Sequence, residues 1–132
     1  MQRYFVALLL MIILQLQGYH AIAENGNVEI YEFLSTTDLS YVRCADHILI
    51  SNNNECIERS KKDADYKYQL IVKKYGKQIQ LIDLLNSYYK YWQESINCIL
   101  AESKDANAVT NRINSIVHNK QIIADYLTHL LQ

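Results

Sequence analysis

Three cysteines hold most of the chemistry open to this chain. Eleven residues separate Cys44 from Cys56, and Cys98 stands well downstream. In an oxidising compartment two of three thiols pair and one is left over. The competing chemistry is metal binding, because His47 lies three residues after Cys44 with Cys56 close by. No second close pair of ligands completes a tetrahedral set, so no metal site is expected. His118 and His129 are isolated from His47 and from each other, and such histidines read as ordinary surface or core residues. Asp63 and Asp65 are two apart, so on a helix they do not share a face for paired acid–base work. The chain has no glycine-rich phosphate loop, no nucleophile-elbow serine and no histidine pair at ligand spacing. A spare cysteine beside a histidine would be the last route to catalysis, and the local motifs of thiol catalysts are absent. These residues imply a protein without catalytic residues or cofactor.

The elements that must position these cysteines follow from composition and periodicity. The 132 residues include no proline, three glycines and eleven tyrosines, half are hydrophobic, and 13 basic groups face 14 acidic ones. That length supports one domain, and the hydrophobic share argues against disorder. Balanced charge leaves no footprint for nucleic acid. The shortage of turn formers argues against an all-β design.

Met1 to Ala23 reads as an address. Arg3 supplies a positive start, Phe5 to Leu14 is uninterrupted and apolar, and Ala21-Ile22-Ala23 has the small-x-small pattern of a signal-peptidase site. The apolar run is far short of the roughly 20 residues needed to span a bilayer, and no cysteine follows it for lipid attachment. Cleavage after Ala23 leaves residues 24–132 as a single exported, soluble domain without a membrane span. That domain keeps all three cysteines and a net charge of −2.

Within it, residues 24–36 read as an extended or draped N-terminal arm. Ser35-Thr36-Thr37-Asp38 resembles a capping box before Leu39, and Leu39, Val42, Ile48 and Leu49 then fit one helical face that ends at Asn52-Asn53-Asn54. Ile57, Ala64, Tyr68, Ile71 and Tyr75 form a firmer helical stripe that Gly76 ends. Ile82, Leu85, Tyr89, Trp92, Ile96 and Ile99 alternate three and four apart, predicting a helix from about Gln78 to Glu102. Ser103-Lys104-Asp105 breaks and recaps the chain. Ile113, Ile116, Ile123, Leu127 and Leu130 then repeat the spacing, with Lys120 as a polar interruption. The expected fold is all-α: a small bundle of three long helices with a short leading one, stapled by one disulfide. With a turn near Lys77, Cys56 and Cys98 come level across an antiparallel pair. Cys98 is therefore favoured as one half of the bridge, with Cys44 or Cys56 as its partner, while a Cys44–Cys56 bond across the loop stays open.

Tyrosine is used out of proportion. Tyr89 and Trp92 fall on the stripe, Tyr88 at its edge, and Tyr91 and Tyr66 off it. Tyr66, Tyr88 and Tyr91 are candidate contact residues, since tyrosine combines a large rigid ring with a hydroxyl.

Taken together, a signal peptide, Cys44 and Cys56, the Ala64-Asp65 pair nine beyond the second cysteine, and a helix with Trp92 running into Cys98 resemble the LprI-like family of lysozyme inhibitors. These are small exported bacterial helical proteins. The resemblance covers Cys44 to about Leu100. It departs from the family pattern where Tyr68-Gln69 replaces a leucine-asparagine pair and where Glu94 replaces an arginine. Trp92 also lies six rather than about eight residues before Cys98. Ile122 or Ile123 stands near the place of a fourth cysteine. The resemblance implies a periplasmic inhibitor that fills the cleft of a wall-degrading lysozyme without chemistry of its own. An immunity protein against a secreted toxin, or an envelope protein of other role, is the alternative expectation.

Overall fold

The computed structural model describes residues 27–46, 53–102 and 104–130. Among the described residues five helices follow one another: α1 (Val28–Asp46), α2 (Asn53–Tyr75), α3 (Ile79–Asn97), α4 (Ile99–Glu102) and α5 (Ala106–Leu130). Among the described residues there is no strand. The expected leader, His47, Ile48, Leu49 and Asn52 lie outside them, as does the side chain of Leu130.

The four long helices run up and down, and side-chain pairs fix their directions. Cys44 bonds Cys56 at one end of the α1–α2 pair, and Lys74 bonds Glu29 at the other, 3.0 Å away. Tyr68 of α2 donates to Asn86 of α3 at 2.7 Å, and Tyr126 of α5 donates to Gln80 of α3 at 3.2 Å. The stripes drive this arrangement. Ile57, Ala64, Tyr68, Ile71 and Tyr75 are buried along α2. Leu81, Leu85, Tyr88, Tyr89, Trp92 and Ile96 are buried along α3, and Ile113, Ile116, Ile123 and Leu127 along α5. Phe33 of α1 packs edge-on against Tyr89 of α3 at 5.3 Å and tilted against Tyr68 of α2 at 5.5 Å, so three helices meet in one aromatic cluster.

The leading segment differs from the sequence reading. Residues 28–36 are helical rather than an arm, and α1 runs straight through Ser35-Thr36-Thr37-Asp38. The reason is a stripe of Ile30, Phe33, Leu34, Thr37, Tyr41 and Cys44, all buried, in which Thr37 takes an apolar place. Its hydroxyl donates back to the Phe33 carbonyl at 2.9 Å, which satisfies it inside the helix instead of capping a new one. Leu39, assigned to the core face, is exposed.

The helix expected over Gln78–Glu102 is also broken. The Cys98 amide is shared between the Glu94 and Ser95 carbonyls at 3.1 and 3.2 Å, ending α3 and starting the single turn of α4. Ile99, the first residue of α4, is still buried, as its place on the stripe predicts. Asp105 then caps α5 as expected, accepting from the amides of Asn107 and Ala108 at 3.0 and 3.3 Å. Gly76 follows the end of α2 because a Cβ there would sit 2.5 Å from the Val72 carbonyl oxygen.

Candidate functional site

The cysteines separate by role. Cys44 and Cys56 form the disulfide, with their Cα atoms 5.6 Å apart, and Cys98 is the free, half-buried thiol. This corrects the expectation that Cys98 is half of the bridge. Standing level across the α2–α3 hairpin does not make two residues face each other. The Cys56 side of α2 is turned to α1, and one turn on the Ser60 hydroxyl lies 3.4 Å from Cys44 Sγ. Bonded to each other, Cys44 and Cys56 offer no thiolate to a metal. Among the described residues no group of three or more His, Cys, Asp or Glu is placed to hold one.

The centre of the bundle holds a polar knot that joins three helices. Asp38 of α1 and Lys120 of α5 form a buried ion pair. The Tyr88 hydroxyl of α3 lies 2.6 Å from the Thr37 hydroxyl and 3.4 Å from Asp38 Oδ1. Trp92 Nε1 donates to the Thr37 carbonyl at 2.7 Å. Burial pushes the Tyr88 hydroxyl well above its usual range, and the Asp38 charge adds to the shift. Burial lowers the Lys120 ammonium, while Asp38 holds it up. Lys120, an interruption in the stripe, thus joins α5 to α1 through Asp38. Asp38 and Thr37 escaped the sequence reading because a capping box and a buried polar pair use the same residue types. Tyr88 corrects an expectation: it is buried in this knot and not available as a contact residue.

A second cluster closes the end near Cys98. Arg112 of α5 grips Glu102 with two bonds of 3.0 Å, lies 3.7 Å from Glu94, and covers the Tyr91 ring at 5.6 Å. Tyr91 is therefore half-buried and engaged by a cation. The Tyr41 hydroxyl, inside the same region, is buried with no hydrogen-bond partner among the described residues and is pushed up to about 12, chiefly by burial and then by Glu102. Tyr66 remains as a freely presented tyrosine, 64% exposed on the outer face of α2.

Of the family-pattern residues, Ala64 and Trp92 are fully buried, with Trp92 bonded to α1, and Asp65 is exposed on α2, which meets α3 along a seam. At the seam Tyr68 and Tyr89 pack with ring centroids 4.7 Å apart. Each tyrosine feels a carboxylate from the opposite helix. Burial and then Asp83 of α3 raise Tyr68, while burial and then Asp65 of α2 raise Tyr89. Asp83 is exposed and falls off the apolar stripe, so periodicity gave no reason to single it out. The two carboxylates are exposed, whereas Tyr68 and Tyr89 are buried.

The fold and site define a small all-α bundle stapled by a Cys44–Cys56 disulfide, with a buried polar knot. No family model, curated protein or solved structure matches the chain. Among the described residues no helix is long and apolar enough to cross a membrane.

Proposed function

We propose that this chain is an exported binding module that works by occluding a protein partner, with a wall-degrading lysozyme as that partner. The observation that carries this reading is the α2–α3 seam, where Asp65 and Asp83 stand by the Tyr68–Tyr89 pair. Lysozymes are typically basic, and the exposed carboxylates Asp65 and Asp83 have the sign to meet such a surface. Asp65 belongs to the motif on which the resemblance to the LprI-like inhibitors rests. Export after cleavage at Ala23 is supported by the Cys44–Cys56 bond, since disulfides persist in oxidising compartments. The domain contributes no chemistry of its own; it excludes substrate by filling space.

The test is a titration of oxidised residues 24–132 against a panel of lysozymes, read as clearance of a cell-wall suspension. Dose-dependent loss of clearance near stoichiometry supports the reading. No effect on any lysozyme refutes it and turns attention to a dedicated toxin, as for an immunity protein.

A further inference from the structure

One end of the bundle differs in chemistry from the rest. Between Asp65 and Asp83 the chain runs seventeen residues with four lysines and no acid. This stretch contains the second half of α2, the turn at Gly76 and the start of α3. Lys73, Lys77 and Ile79 are exposed here, Ile79 to 72%. Lys74 is held by Glu29 of α1 through both carboxylate oxygens at 3.0 Å, which also fixes the start of α1 beside this turn. Val28, 46% exposed, opens α1 at the same place.

Structure alone does not require these residue types. Lysines in the last turn of α2 complement its carbonyl end, which accounts for Lys73 and Lys74. Lys77 lies beyond the helix and gains less from that effect. Ile79 heads α3 behind Gln78, which makes no side-chain cap, and so much exposure leaves it little share in the core. Exposed apolar residues set among lysines, on a protein of slightly negative net charge, match an interface that is anionic outside and apolar within.

We propose that the end of the bundle formed by Val28, Lys73, Lys77 and Ile79 seats on an anionic phospholipid surface. The lysines pair with lipid phosphates, and Ile79 and Val28 enter the boundary of the acyl region. The α2–α3 seam begins one turn from this surface, at Asp83, and extends away from it.

The test uses residues 24–132, which carry every described helix and the described core, in co-sedimentation with vesicles. One set is phosphatidylcholine alone, and the other is phosphatidylcholine and phosphatidylglycerol in equal parts. Binding is expected to the mixed vesicles only and to weaken with added salt. Lys73→Gln/Lys77→Gln should lower the partition coefficient by roughly thirtyfold, and Ile79→Ser should lower it at unchanged vesicle charge. Both variants change exposed residues, and an unaltered melting midpoint confirms that their bundle is intact. The control Lys62→Gln, on the first half of α2, should bind like the parent. The proposal is overturned by equal binding to both vesicles, by no binding to either, or by a lysine pair variant that binds like the parent. Capture by polyglutamate without vesicle binding also overturns it and assigns this end to an acidic protein.

Discussion

Replacing Lys120 by methionine probes the packing of the whole bundle. Met has nearly the length of the lysine stem, so the change removes the ammonium and little volume. It leaves the Asp38 carboxylate, 4% exposed, in the core without its countercharge. Breaking a buried pair in this way typically costs about 3–5 kcal/mol, against a total stability of about 5–15 kcal/mol for a domain of this size. Replacing both partners in Asp38→Leu/Lys120→Met removes the stranded charge and should restore most of that loss, because a well-packed apolar pair is often as stable as an ion pair. The assay is urea unfolding of the parent, both single variants and the double variant, followed by circular dichroism. Midpoints should fall sharply in the singles and recover in the double. Single losses below about 1 kcal/mol, the range of exposed pairs, would refute the claim that α1 and α5 meet through these residues in the core.

Trp92→Ala should cost about 3–5 kcal/mol through the cavity it leaves, and a midpoint too close to the parent to resolve would place the ring at the surface. Tyr41→Phe should leave stability unchanged or raise it by about 1 kcal/mol, since it removes a buried hydroxyl that has no partner among the described residues; a clear loss would reveal an unseen bond. Proteolysis without reductant should release Cys44 and Cys56 as one linked fragment, with Cys98 accepting an alkylating reagent. A linked fragment containing Cys98 would contradict this pairing. Tyr41 and Tyr88 titrate above the unfolded tyrosine value, the former at about 12. Between the unfolded and folded values the unfolded chain has already released these protons, so their stabilising contribution is whole below about pH 10 and is lost as pH rises further. Denaturant midpoints measured across alkaline pH should fall steeply, and less so in Tyr41→Phe; a flat profile would argue that neither hydroxyl is buried.

Most of the architecture was legible in the sequence because the stripes of α2 and α3 repeat without conflict and that of α5 is interrupted only at Lys120. Ile57 to Tyr75 and Leu85 to Ile99 are buried where their spacing placed them. The first helix was not legible, because its stripe passes through Thr37 and Asp38, whose side chains serve equally in a cap. Their burial depends on Tyr88, Trp92 and Lys120, which arrive from distant parts of the chain. Counting residues from the turn put Cys56 and Cys98 at one height. It did not give their azimuth, and azimuth decides that Cys56 faces Cys44. The seam was half visible. Asp65 stood out through the family pattern, whereas Asp83 gains meaning only when α3 lies against Tyr68.

The central claim, occlusion of a basic partner by the α2–α3 seam, is tested most directly by reversing the seam's charge. Residues 24–132 and their Asp65→Lys/Asp83→Lys variant are titrated side by side against the lysozyme that the parent inhibits best. Both carboxylates are exposed, so the substitutions leave the core intact. The account expects the variant to need roughly tenfold more protein for the same inhibition, with the difference shrinking as salt is added. Equal inhibition by both proteins would contradict the claim and remove the seam from the contact surface.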